Sequence, residues 1–125
     1  MSQKTILVID DEPTNIDVIK NVLSDKYKIK AATSGEKALM VAAKAPVPDL
    51  ILLDIMMPGM NGYDVCKALK RDSATRAIPV VFLSAKVSAD EQRQGMETGA
   101  VAYLTKPIDP QSVTDTVDML LSGYL

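Results

Sequence analysis

The sequence predicts a doubly wound α/β domain in which five parallel strands alternate with five helices. Three observations carry that expectation. Ile6-Leu7-Val8-Ile9, Leu50-Ile51-Leu52-Leu53 and Val80-Val81-Phe82-Leu83 are apolar at consecutive positions, as strands buried on both faces of a parallel sheet are. Between them lie stretches whose apolar residues recur at helical spacing. Strand and helix signals alternate along the whole chain, which implies βα units joined by right-handed crossovers.

Taken in order, residues 6–9 form the first strand, and Ile16, Ile19 and Leu23 share one stripe of a helix over 13–24. Tyr27-Lys28-Ile29-Lys30 alternates instead, as an edge strand with one wet face does. Thr33-Ser34-Gly35-Glu36 has the spacing of a capping box, with Thr33 at the N-cap of a helix running through Leu39 and Ala43. Pro46 and Pro48 punctuate the loop before the third strand at 50–53. Asn61 to Arg71 carries Val65, Cys66 and Leu69 on one helical side, and Cys66 reads there as a small buried residue rather than a reactive thiol. After the fourth strand at 80–83, Ser88-Ala89-Asp90-Glu91 offers a second capping box and Gly99 suits the helix stop. Ala89 and Met96 are the main apolar residues of this helix at 88–98, which makes it the least anchored element and the easiest to move. Val101-Ala102-Tyr103-Leu104 is the weakest strand. Asp109-Pro110 pairs an N-cap with an N1 proline and opens a last helix with Val113, Val117, Leu120 and Leu121 on one face; Gly123 is expected to close it.

Composition bounds the function. The 125 residues carry a formal net charge of −2 and are 47% apolar, which fits one globular domain over 1–125 burying roughly two-thirds of its unfolded surface. A pI near 5.0 argues against nucleic-acid binding, which needs a dense basic patch. The chain has one cysteine and no histidine, which excludes an internal disulfide framework, Cys-cluster and His-zinc sites, and Ser-His triads. No apolar run approaches the ~18 residues that a spanning helix needs, and the N-terminal run turns acidic at Asp10, too soon for a signal peptide. The expectation is a soluble, cytoplasmic domain with no membrane contact. Neither G-x-x-x-x-G-K-[ST] nor G-x-G-x-x-G occurs.

In an open α/β sheet, ligands bind beyond the carboxyl ends of the strands. The residues that follow the apolar runs are Asp10, Asp11 and Glu12, then Asp54, then Ser84 and Ala85, then Thr105, Lys106 and Pro107. All would meet on one sheet edge. Carboxylates held close raise one another's pKa, and a hard cation such as Mg²⁺ with oxygen ligands relieves the repulsion. Alone, each residue has an ordinary alternative: Asp11 or Glu12 could cap the helix after Pro13, Lys106 could be a solvated lysine, and Ser84 a capping serine. Met56, Met57 and Met60 read as loop packing, since Mg²⁺ takes oxygen. Jointly, a carboxylate nucleophile, an acidic cation site, a lysine and a hydroxyl donor are the parts of phosphoryl transfer to aspartate. The Lys106-Pro107 bond is a candidate cis peptide.

These motifs, with Asp54-Ile55-Met56-Met57-Pro58-Gly59-Met60-Asn61-Gly62 and Tyr103-Leu104-Thr105-Lys106-Pro107 among them, make the chain resemble a response-regulator receiver domain of two-component signalling over essentially its full length. The resemblance implies a flavodoxin-like strand order of 2-1-3-4-5. It implies that Asp54 is the phosphoacceptor, that Asp11, Asp54 and the backbone carbonyl of Met56 bind Mg²⁺ with help from Asp10, that Ser84 is the switch hydroxyl with Lys106 its charged partner, and that Tyr103 is the switch aromatic. It further implies a phosphorylation-dependent switch, not an enzyme acting on another substrate, that assists its own phosphorylation and dephosphorylation. The phosphodonor would be a histidine kinase or a histidine phosphotransfer protein. A downstream partner or output domain would read the helix at 88–98, the Tyr103 strand and the last helix, with a phosphorylation-dependent symmetric dimer through that face as a further expectation.

Three rivals are weaker. A flavin module needs a hydroxyl- and glycine-rich loop after the first strand, where this chain has Asp-Asp-Glu-Pro. An aspartate-nucleophile phosphatase needs a second acid two residues after Asp54, where Met56 stands. A degenerate receiver serving only as an interaction module would not need the intact acid cluster and Lys106.

Overall fold

The computed structural model describes residues 3–85 and 88–122. Strands β1 (Thr5–Ile9), β2 (Lys28–Ala32), β3 (Leu50–Asp54), β4 (Val80–Ser84) and β5 (Ala102–Thr105) form one sheet in the order β2-β1-β3-β4-β5, every pairing parallel. Helices α1 (Pro13–Leu23), α2 (Gly35–Ala43), α3 (Gly62–Arg71), α4 (Ala89–Glu97) and α5 (Pro110–Leu121) connect or follow the strands.

The sheet separates two apolar layers because side chains alternate across each strand. Leu7, Ile9, Ile51, Leu53, Val80 and Phe82 face the layer completed by Val65, Cys66 and Leu69 of α3 and by Ala38 and Ala42 of α2. Ile6, Val8, Leu50, Leu52, Val81 and Leu83 face the other, where Ile16, Ile19 and Leu23 of α1 meet Val113 and Val117 of α5. β1, β3 and β4 are buried throughout, whereas β2 and β5 form the half-wet edges. The doubly wound reading therefore holds, down to the lysine-bearing edge strand.

Several boundaries differ from the sequence reading. β3 and β4 each run one residue further, so Asp54 and Ser84 are the last residues of their strands rather than the first of the following loops. β2 and β5 are each displaced toward the C-terminus, to Lys28–Ala32 and Ala102–Thr105. The N-cap of α2 is Ser34, not Thr33: its side chain accepts from Lys37 N–H at 3.3 Å, and Glu36 falls in the first turn instead of closing a box. Gly35 then stands at the first helical position, where a Cβ would lie 2.9 Å from the Met60 side chain that covers this helix start. α3 opens with a box the sequence reading passed over, Asn61 and Asp64 capping each other's backbone N–H groups. Ser88 caps α4 by accepting from Glu91 N–H at 3.1 Å, one half of the expected box, and Gly99, at φ 110°, ends the helix as expected. Asp109 and Pro110 open α5, but Gly123 lies outside the described residues.

The anchoring of α4 needs correction. Ala89 and Met96 are both exposed, and Gly95 is the helix's only buried residue. A Cβ at Gly95 would stand 2.1 Å from the Tyr103 hydroxyl oxygen, so the missing side chain is the notch that lets this tyrosine fold under α4. Its ring lies 5.4 Å from Phe82, its hydroxyl donates to the Glu91 carbonyl, and Tyr63 also packs edge-on against Phe82.

Candidate functional site

The carboxyl edge of the central strands gathers the residues singled out in the sequence. Asp10 follows β1, Asp54 ends β3 next to it, Ser84 ends β4, and Lys106 follows β5. Asp10, Asp54 and Ser84 are all buried. Parallel pairing in register, with Ile9 beside Leu53, Asp54 beside Leu83 and Ser84 beside Thr105, is what brings them to one edge. The peptide bond between Lys106 and Pro107 is cis, and Lys106 N–H donates to the Ser84 carbonyl at 2.8 Å, which fixes the start of this segment against β4.

Lys106 crosses the gap between the two buried acids. Its Nζ stands 2.9 Å from Asp10 Oδ2 and 3.1 Å from Asp54 Oδ1. Burial alone would lower the lysine's pKa, but pairing with both carboxylates outweighs it and holds the ammonium above the ordinary lysine value. Asp54 shows the opposite balance. Burial first and the Asp10 charge second push its carboxyl up to about 6, Lys106 offsets only part of this, and a hydrogen bond with Asp11 raises it further.

The backbone holds these acids in place. Asp10 Oδ1 accepts from Glu12 N–H at 2.9 Å, and Asp54 Oδ1 accepts from Met56 N–H at 3.3 Å. Gly62 permits the close turn after β3: a Cβ there would meet the Asp54 carbonyl oxygen at 2.5 Å and Ile55 Cα at 2.7 Å. The helix-cap alternative for the acidic doublet fails, because Glu12 occupies the N-cap of α1 with no side-chain cap hydrogen bond. The methionine loop divides: Met57 is buried as packing, whereas Met56 is 74% exposed while its backbone N–H faces Asp54.

The fit to a divalent cation rests on the donor set. Carboxylate oxygens of Asp10, Asp11 and Glu12 lie within 4.8 Å of one another. Asp10 Oδ2 is buried and, although within ion-pair range of Lys106, accepts no hydrogen bond of good geometry. An all-oxygen acidic cluster facing solvent on one side suits Mg²⁺. Glu12 belongs to this cluster although the sequence reading placed no ligand there. Asp54 joins it through Asp11 and Lys106.

Two residues near the site escaped the sequence reading. Tyr63, from α3, places its hydroxyl 3.4 Å from that of Tyr103 and 3.4 Å from the Glu91 carbonyl. Gly95 supplies the notch described above. Neither has a local signal, since each is defined by a contact between separate elements.

An α/β domain with the flavodoxin-like order and a lysine-bridged carboxylate cluster at the carboxyl edge of its sheet is a recognisable class. Residues 6–118 match the model of the response regulator receiver domain, and the chain belongs to that family. Among its relatives, protein PilH of Pseudomonas aeruginosa is 34% identical over 120 residues, covering 94% of this chain and 98% of that protein. Response regulator PleD of Caulobacter vibrioides is 47% identical over 105 residues, covering 83% of this chain but 23% of the relative. The family thus includes both receivers of this size and receiver modules of larger regulators, and this chain spans between 23% and 53% of the length of the latter kind. The crystal structure of chemotaxis protein CheY4 of Vibrio cholerae superposes with a TM-score of 0.91 at 29% identity, over 96% of this chain and 100% of that one. Phosphorylation on aspartate and Mg²⁺ binding at an acidic cluster are general properties of receiver domains, which act as signalling switches. Among the described residues, no helix is long and apolar enough to cross a membrane.

Proposed function

We propose that residues 1–125 form one receiver domain working in the cytoplasm, which takes a phosphoryl group on Asp54 from a phosphohistidine of a kinase or phosphotransfer protein. The observation that carries this reading is the Lys106 ammonium held between Asp54 and Asp10. In the transfer, an Asp54 carboxylate oxygen bonds to phosphorus as the bond from phosphorus to the donor's imidazole nitrogen breaks, and the electron pair returns to that nitrogen. With a carboxyl pKa of about 6, Asp54 is mostly ionised at neutral pH and needs no general base.

Asp10, Asp11, Asp54 and the Met56 carbonyl would hold Mg²⁺, with Glu12 at the rim of the cluster. When bound, the ion neutralises the acids and the phosphoryl oxygens that approach them. Lys106 donates to one phosphoryl oxygen as a compact point charge, and the Ser84 hydroxyl donates to another. Drawing Ser84 inward biases Tyr103 and α4, and the α4–β5–α5 face carries the output to a partner or an attached domain.

Intact-mass analysis after incubation with acetyl phosphate tests the chemistry. One phosphoryl adduct is expected with Mg²⁺, none with chelator, and none in Asp54→Asn. An adduct that persists in the variant, or forms equally in chelator, would overturn the assignment.

A further inference from the structure

We infer that the α4–β5–α5 face docks a lysine- or arginine-rich amphipathic segment of a partner protein rather than a second copy of itself. This rests on the reading of that face as the output surface and adds the chemistry of what binds there.

Charge is unevenly divided along the chain. Residues 88–122 contain six acids against two bases, whereas residues 1–87 contain ten acids against twelve bases. Both bases of the acidic part are already engaged: Lys106 lies in the phosphoryl site, and Arg93 pairs with Asp90 on its own helix. α5 has no basic residue. Glu97 on α4, Asp109 at the N-cap of α5 and Asp115 on α5 remain exposed.

Apolar anchors lie within that acidic frame. A cleft of about 200 Å³ runs over β5, with Gln92 of α4 on one wall, Ser112 of α5 on the other and Tyr103 between them. Helical spacing continues both walls: Met96 is one turn on from Gln92, and Asp115 and Met119 continue the stripe from Ser112. Met96 and Met119, with Val101 just before β5, are 48%, 62% and 45% exposed. Unbranched, polarisable methionines adapt to the apolar stripe of a docking helix, while flanking carboxylates select cationic side chains. A two-fold pairing of this face with itself would set the same acids against one another, because an isologous interface matches one patch to its copy.

The test uses a labelled lysine–leucine amphipathic peptide and its glutamate–leucine counterpart, titrated by fluorescence anisotropy with Mg²⁺ present. The lysine peptide is expected to bind, the glutamate peptide not. Charge reversal in Glu97→Lys/Asp115→Lys should weaken binding roughly tenfold or more, and Met96 and Met119 methyl resonances should shift. Equal binding by the reversed variant would overturn the inference, as would shifts confined to residues near Asp10–Glu12, or a dimer in sedimentation that protects the Met96 and Met119 methyls. The titration is run with and without prior incubation with acetyl phosphate, and adduct mass read on the same samples separates the two readings. An Asp54 adduct without peptide binding in either state sinks the inference alone, whereas binding at this face without an adduct upholds the inference and sinks the phosphoacceptor reading.

Discussion

Lys106 and Asp10, which follow strands on opposite sides of β3 and β4, meet through an ion pair of 2.9 Å whose carboxylate is fully buried. The same ammonium serves Asp54 at 3.1 Å. Removing it leaves two buried carboxylates facing each other. Such a loss typically costs about 3 kcal/mol, because the surviving charges cannot be rehydrated. Lys106→Ala is therefore expected to lower the unfolding free energy of metal-free protein, read from its urea midpoint, by that order, and Mg²⁺ to recover more stability in the variant than in wild type. An unchanged midpoint would show that the acids hold their arrangement without the lysine.

Asp54 gives the site a pH signature. Burial, then the neighbouring Asp10 charge, raise its carboxyl to about 6, above the ~4 of an unfolded chain. A raised acid favours the protonated folded form. Its contribution is therefore most favourable at low pH and is lost as pH rises through the window from about 4 to about 6. Metal-free Asp54→Asn should lack this term. Its stability relative to wild type should increase across that window by about 2 kcal/mol and then level off. Urea titrations at half-unit pH intervals read the difference, and a flat difference would mean that Lys106 fully compensates Asp54.

Most of the fold was legible because the central strands are aliphatic at consecutive positions, a pattern that only two-sided burial explains. Strand ends were less legible. Asp54 and Ser84 are polar, and local reading stops a strand at a polar residue, yet both continue the hydrogen-bonded ladder. At Thr33 and Ser34 two adjacent hydroxyls offer the same cap, and local spacing does not distinguish them; Ser34 is the one that accepts from Lys37 N–H. The acid and lysine positions were legible because parallel topology forces strand ends together. Glu12, Tyr63 and Gly95 were not, since their roles arise from contacts that no short motif encodes.

Asp118 ties the far end of the sheet together. Tyr27 donates to its Oδ1 at 2.6 Å, and Lys26 pairs with its Oδ2 at 2.9 Å. The Tyr27 hydrogen bond and then that from Lys26 hold the Asp118 carboxyl below the usual range, while burial, reinforced by Asp118, pushes the Tyr27 phenol up to about 12. Asp118→Ala should cost about 1 kcal/mol at neutral pH. The lowered acid stabilises the fold above its unfolded pKa and ceases to do so as pH falls through its folded value, so wild type and variant should converge in acid, below the ordinary carboxylate range. Tyr27 in the variant should ionise nearer its ordinary pKa in a 295 nm titration. A penalty that persists undiminished in acid would assign the effect to packing instead.

Gly95 and Tyr103 supply the most direct test of how α4 is held. The hydroxyl of Tyr103 occupies the place of a Cβ at position 95, 2.1 Å from it, and donates to the Glu91 carbonyl one turn earlier on the same helix. Glycine is a poor helix former, so Gly95→Ala alone should gain about 1 kcal/mol in helix propensity. Steric exclusion of the phenol outweighs that gain, since overpacking typically costs 1–3 kcal/mol and the displaced ring gives up its contact with Phe82 and its bond to Glu91. The variant should therefore be no more stable than wild type despite the better helix former. Burial raises the Tyr103 phenol far above its ordinary pKa, with Tyr63 adding to the effect, and expulsion from the notch should bring it back toward the ordinary value in an absorbance titration. Tyr103→Ala, which empties the notch, should make the Gly95→Ala substitution favourable. Because the expected sign reverses between the two backgrounds, a double-mutant cycle distinguishes a notch from a merely flexible helix: additivity within about 0.5 kcal/mol would mean that Gly95 and Tyr103 do not hold α4 together.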